Sequence, residues 1–388
     1  MSDSVLIDHY RCASSYGVPL PFDANEVIDN LRLERYVNTQ STKSLPGQIA
    51  RKIYYTLRPL MGVWFRKHLQ RAYLKGWERI PFPRWPVDRT VEHIFESMLM
   101  LVLEARGDTE VPFVWFWPEA HSGCVILTHD IETKAGRDFA EELADIDASY
   151  GFKSSFQIVP EGRYEITQSF LDGLRSRGCE INLHGDSHDG RLFESRETFA
   201  ERVRKINRYA QLYRASGFRS PVLYRNLDWY GAFQFAYDMS VPNVAHLDPQ
   251  RGGCCTVMPY FIGHLVELPL TMTQDYSLFH VLHQTSIDLW KRQIDLVLEK
   301  HGLVSFNIHP DYIIQDPYRS TYCELLEYLA KVCRDRDIWV ALPKEVNDWW
   351  RQRSHSTLMN GRALPEKGRL VYEFAEADTR LHDYSLVV

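Results

Sequence analysis

The chain has no CxxC pair, no apolar run of membrane-spanning length and no strong charge of either sign, and each absence removes a class of function. Its seven cysteines (Cys12, Cys124, Cys179, Cys254, Cys255, Cys323, Cys333) are odd in number and scattered, so neither a thiolate metal site nor a disulfide framework fits them. They read as free thiols in a reducing compartment, and the vicinal Cys254 and Cys255 as packing. A formal net charge of -6 leaves no nucleic-acid footprint. No stretch reaches the roughly eighteen apolar residues of a spanning helix, and MSDSVLIDHYRCASSYG lacks the basic-then-apolar layout of a secretion signal. A cytoplasmic location is therefore the expectation. Internal repeats and low-complexity tracts are absent as well.

What is present begins with bulk. With 388 residues, 45% hydrophobic and 25% charged, the chain can bury a sizeable core in one large domain or two ordinary ones. Charge is uneven locally: residues 51–84 hold nine Lys or Arg against the single acid Glu78. Ile49, Ile53, Leu57, Leu60, Met61, Trp64, Phe65 and Leu69 recur there near helical spacing, with Pro59 as a kink. Two readings stand: a basic amphipathic helix in peripheral contact with anionic membrane, or a helix whose apolar stripe packs on the main domain while its charges are solvated. The proline-punctuated IPFPRWP (80–86) follows as a connection.

From Gly123 the texture becomes alternating short apolar runs and longer amphipathic stretches, which predicts a βα-repeating domain. Strands are expected at 124–128, 154–159, 179–183, 234–238, 303–308 and 338–341. Phe139, Leu143, Ile146 and Tyr150 mark one helical face; Phe199, Val203, Ile206, Ala210 and Tyr213 a second; Ile287, Trp290, Ile294, Val297 and Leu298 a third. The organisation expected is a mainly helical N-terminal region over 1–115, the α/β domain over 116–352, and a short hairpin or tail over 353–388.

Three of the expected strands end in ionisable residues. VILTHDIE (125–132) places Asp130 and Glu132 two apart, so an extended backbone sends both carboxylates to one side while Ile131 points into packing. CEINL ends in His184-Gly-Asp-Ser-His188, whose two imidazoles, four apart on a turn, can converge on one metal. LVSFNI ends in His309. In a parallel βα domain all of them reach the same rim, where barrel active sites are built.

In this order, Thr128-His-Asp130-Ile-Glu132, His184-Gly-Asp-Ser-His188, Phe218-Arg219-Ser-Pro221 and Phe306-Asn-Ile-His309 resemble the motifs of polysaccharide deacetylases with the NodB homology domain, over roughly residues 120–345. The resemblance implies a NodB-like distorted (β/α) barrel with fewer than eight repeats and a divalent metal, commonly zinc, that serves removal of acetyl groups from N-acetylated sugars. It implies Asp130 as catalytic base, His184 and His188 as metal ligands, Arg219 as the residue orienting the base, and His309 as catalytic acid. Two positions depart from the family pattern. The second acid arrives one residue late, as Glu132, which geometry makes the third ligand, with Asp186 the substitute if it is not. Gly185 stands where the family carries Ser or Thr. Asp238, then Asp275, is expected to hold His309 charged.

The chemistry asks for these residue types in its own right. Two neutral imidazoles and a carboxylate can hold a metal with coordination left open for substrate, and an amide nitrogen leaves only once protonated. Two rival readings remain: a C–N hydrolase of a small non-sugar amide, and a non-catalytic scaffold with the same fold. The Trp349-Trp350 pair reads as packing rather than as a sugar platform.

Overall fold

The computed structural model describes residues 22–37, 74–107, 114–356, 358–359 and 362–363. The basic helix expected between 49 and 69, with Pro59, Trp64 and Phe65, lies outside these residues, as does the tail beyond 363. Among the described residues no helix is long and apolar enough to cross a membrane.

Short apolar runs rich in β-branched and aromatic residues form parallel strands, and the amphipathic stretches between them form the covering helices. Strand β1 (Gly123–Ile131) is buried along its whole length because it pairs with β2 (Ser154–Ile158), β8 (Leu303–Ile308) and β9 (Ile338–Val340), all parallel. The sheet continues through β3 (Glu180–Leu183), β4 (Gly217–Phe218), β5 (Tyr237–Asp238) and β7 (Leu265–Glu267), and ends in β6 (Tyr260–Ile262), which is antiparallel to β7. The sheet then curls back on itself. Beyond β7, Leu270 N–H donates to Val241 O on one side and Met272 N–H to Ser305 O on the other. Ser305 N–H donates to Thr271 Oγ1, which in turn donates to Leu303 O. A seven-strand ring results, distorted because irregular chain rather than a regular ladder makes the last join.

Side chains of β1 alternate between the ring interior and the helices. Val125, Leu127 and Ile131 join the large apolar cluster formed with helices α3 (Lys134–Ser149), α5 (Arg196–Tyr213), α6 (Asp288–Leu298) and α7 (Tyr318–Asp335). Cys124 and Ile126 point the other way, into a plug with Trp117, Tyr237, Val266, Leu303 and Trp350. Above the plug the interior turns polar. Asn182 Nδ2 donates to Ser155 Oγ and to Tyr237 Oη, both at 2.8 Å, and Gln157 Nε2 donates to Ser155 Oγ at 2.8 Å. The Tyr237 ring crosses this space so closely that a Cβ on Gly217 would lie 2.2 Å from it.

Three differences from the sequence reading have local causes. The expected strand loses its first residues because Gln234 N–H donates to Asn207 Oδ1 on α5, so β5 starts only at Tyr237. The β6/β7 hairpin and the two-residue β4 are too short to show a period of two. Helices α4 (Gln168–Ser176) and α8 (Pro343–His355) complete the covering layer, and α8 brings Trp349 and Trp350 into the plug, where both are buried. In the N-terminal region, α1 (Ala24–Arg32) is capped by Asp23 and packs on α2 (Thr90–Arg106) through Ala24, Met98 and Val102. Glu34, just past α1, is tied to the barrel by the buried Arg225, whose Nε donates to Glu34 Oε2 at 2.6 Å. A two-residue antiparallel pair, β10 (Leu358–Met359) with β11 (Arg362–Ala363), stands at the expected C-terminal hairpin.

Candidate active site

The parallel ladder extends past the strand ends and fixes the residues found there. His184 N–H donates to Ile158 O and Arg219 N–H to Leu183 O, each at 2.8 Å, so both side chains leave the ring at its C-terminal rim. Asp130 is the last residue but one of β1, Glu132 follows the strand, and His309 follows β8. The structure thus brings Asp130, Glu132, His184, His188, Arg219 and His309 into one cluster.

Glu132, His184 and His188 each offer a ligand atom, and these atoms all lie within 4.8 Å of one another. Glu132 Oε1 is 2.9 Å from His188 Nε2 and 3.7 Å from His184 Nε2. The Nδ1 of His184 faces Arg219 O at 3.1 Å and must carry a proton to donate there, which leaves the Nε2 lone pair aimed at Glu132. Both Nε2 atoms are buried without a hydrogen-bond partner. A buried polar atom so placed costs stability unless something binds it, and the donor set of two nitrogens and one carboxylate suits a divalent metal such as zinc.

Charge states agree with that use. Burial lowers the proton affinity of His188, and His184 and Arg163 lower it further against the pull of Glu132, so the imidazole sits below its ordinary value and is neutral, as a ligand must be. Burial would raise Glu132, yet the facing imidazoles, His188 first and then His184 and His309, hold it well below the ordinary carboxylate range. Asp186 is no substitute ligand: it faces away, bound by Arg202. Gly185 has φ +74°, and a Cβ there would lie 2.6 Å from Pro221 Cγ. A left-handed turn packed on a proline accounts for glycine where the family pattern has a hydroxyl residue.

Asp130 is buried and gripped from two sides. Arg219, itself wholly buried and anchored by Nε on Met239 O at 3.0 Å, approaches Oδ1 at 3.3 Å, and Asn307 Nδ2 donates to Oδ2 at 2.8 Å. Burial alone would raise this carboxyl, but His184, Arg219 and His309 more than compensate and bring it below its usual value. Asn307 also donates to Gln274 Oε1 at 3.1 Å, and Gln274 Nε2 donates to Asp248 Oδ1 at 2.8 Å. A carboxylate at each end leaves one orientation for both amides: each must turn its NH2 toward the acid.

On the other side of Glu132, His309 Nε2 stands 3.5 Å from Oε1. The partner of His309 is Asp275, which accepts from its Nδ1 and from its backbone N–H, both at 2.7 Å. Asp238, the first choice from sequence, is instead engaged by Ser240, whose Oγ and N–H donate at 2.8 and 2.9 Å, and by the buried Glu267. Sequence order misled here: Asp238 lies at a strand end, while Asp275 sits eight residues past β7, on the irregular chain that completes the ring. Burial lowers His309, but Asp275 and then Glu132 raise it well above the ordinary histidine value, so it carries a proton at neutral pH. The arrangement can hold a cation, take a proton on one side and give one on the other.

Asn307 is the site residue without a role in the sequence reading. Its signal was there, since a position two before His309 on one strand shares its side.

No family model matches the chain, and no curated protein matches its sequence. Solved structures do align with it. A candidate polysaccharide deacetylase from Mycobacterium smegmatis does so at 19% identity and a TM-score of 0.48, over 65% of this chain and 98% of that one. Puue allantoinase aligns at 12% identity and 0.48, over 62% and 94% respectively. A family 4 acetyl xylan esterase from Clostridium thermocellum, solved in complex with a cobalt ion, aligns at 14% identity and 0.35, over 58% and 91%. Likeness at these values leaves the activity to be argued from the residues themselves.

Proposed function

We propose that the protein is a metal-dependent hydrolase that removes an acetyl group from an N-acetylated sugar. The observation that carries this reading is the three-part constellation: Glu132, His184 and His188 in the middle, Asp130 with Arg219 on one flank, His309 with Asp275 on the other. Bound there, a divalent metal, zinc by the donor set, supplies Lewis-acid polarisation of the amide carbonyl and of the attacking water. Asp130 takes the proton of that water, and Arg219 and Asn307 keep it ionised and aimed. His309, held charged by Asp275, gives its proton to the departing nitrogen, so acetate and a free amine leave. The sugar enters this reading through the motif order; the geometry itself requires only an amide.

A substrate panel tests it. The metal-loaded protein is expected to release acetate from N-acetylated sugars, monomeric or linked to a carrier, and not to open small cyclic amides. The reverse preference would move the activity to small non-sugar amides, and inactivity of a fully loaded protein on every substrate would favour the scaffold.

The acid flank makes a separate prediction. His309 works as imidazolium, and its raised pKa means activity is full below that value and lost as pH rises through it. Asp275→Asn removes the first attraction while burial, which lowers the pKa, stays. The alkaline limb of kcat/KM should move down by about 1–3 pH units, the span an adjacent opposite charge produces, with the acidic limb unmoved. An unshifted alkaline limb would detach Asp275 from the proton donor.

A further inference from the structure

We infer that Arg202, on helix α5, is a positioning residue that holds the loop carrying His184 and His188 in its metal-binding shape, an inference that rests on the proposed metal site. The loop is short and contains its own competitor. Asp186 lies between the two histidines in the chain, almost fully buried, yet outside the three-residue ligand cluster. Arg202 turns it away. Its Nε donates to Asp186 Oδ1 and Oδ2 at 2.9 and 3.0 Å, and its Nη2 donates to Asp186 Oδ1 as well. Nη2 also donates to Ser187 Oγ at 2.8 Å, and Nη1 to Asp189 Oδ1 and Oδ2 at 2.9 and 3.1 Å. One guanidinium therefore grips residues on both sides of His188.

The neighbouring positions on the same helical face extend the grip. Lys205 Nζ lies 3.5 Å from Asp186 Oδ2 and donates to Glu161 Oε2 at 3.0 Å; Tyr209 Oη donates to Glu161 Oε1 at 2.6 Å. Glu161 N–H closes the circuit on Asp186 O at 2.9 Å. Spacing of three and four residues sets Arg202, Lys205 and Tyr209 in one stripe, so α5 braces the loops that follow β2 and β3 together. The pair is little screened, because the Arg202 side chain is 11% and that of Asp186 2% exposed. Only a planar fork of five donors can serve two carboxylates and a hydroxyl at once; a lysine is a point charge. Without the guanidinium, Asp186 is a buried acid with its main counter-charge gone, and the loop must rearrange to solvate it or to swing it onto the metal.

The test measures Zn²⁺ alone, by competition with a chromophoric chelator near neutral pH, on the full chain. Arg202→Met is expected to bind zinc about ten- to hundredfold more weakly, the usual effect of removing a residue that orients ligands. Arg202→Lys should fall between Arg202→Met and the parent. Arg177→Met serves as the control for a merely structural loss, since Arg177 pairs with Asp145 and Glu141 away from the loop and its removal should leave zinc affinity unchanged. Parent-like affinity in folded Arg202→Met, or an equal loss in Arg177→Met, overturns the clamp alone. Failure of the parent to bind zinc overturns the metal site with it. Should Arg202→Met not fold, Arg202→Lys decides: weakened binding supports the clamp, and parent affinity rejects it.

Discussion

Asp130→Asn is expected to take up as much metal as the parent and to turn over an N-acetylated sugar about 10²–10⁴-fold more slowly, the range that a positioned general base contributes. The amide keeps the volume; its oxygen can still accept from Arg219, while its NH2 takes the place of Oδ2, so Asn307 has only to turn its own amide oxygen toward it for the rim to keep its shape. What disappears is the proton acceptor. His184 Nε2 is 3.8 Å from Asp130 Oδ2, and Asp130 lies outside the three-residue ligand cluster. Metal content and kcat are therefore predicted to separate, and elemental analysis beside steady-state kinetics reads both. Turnover within threefold of the parent would take the role of base away from Asp130, and lost metal would make it a ligand.

His184→Ala and His188→Ala are expected to do the opposite and lose metal and turnover together. Each removes a nitrogen that points at Glu132 from a buried position, and two ligands cannot hold the ion tightly when one is a single carboxylate. Glu132→Ala should behave in the same way, because Asp186 is held by Arg202 and cannot replace it. Stoichiometric metal in either histidine variant would reject that ligand. Circular dichroism of His188→Ala should separate loss of the ion from loss of the fold.

The sequence carried the strand ends well because they obey a local rule. Alternation along 125–132 put Asp130 and Glu132 on one side before any packing was known, and the structure has them there. The same rule reached His309 and could have reached Asn307. Asp275 and Arg202 followed no such rule. Asp275 comes to His309 through chain that is neither helix nor strand, and Arg202 is one of several arginines on an ordinary amphipathic helix, singled out only by which loop that helix packs against. Periodicity tells which side of an element a residue occupies; it is silent on what stands opposite. The hairpin at 260–267 was missed for a related reason, since three-residue strands hold too few positions to display a period.

The inward positions of β1 change character step by step: Cys124 and Ile126 in the apolar plug, Thr128 hydrogen-bonded to Phe306 O, then Asp130, and Glu132 just beyond the strand. That gradient works as an alignment key. Shifting the strand by one residue against β2 and β8 would turn Leu127, His129 and Ile131 into the polar interior and drive Asp130 among the apolar side chains beneath the helices, so a misregistered chain is penalised at every rung. The register that satisfies the interior is also the one that assembles the ionisable rim. Correct register and assembly of the ionisable cluster are thus one and the same condition in this barrel.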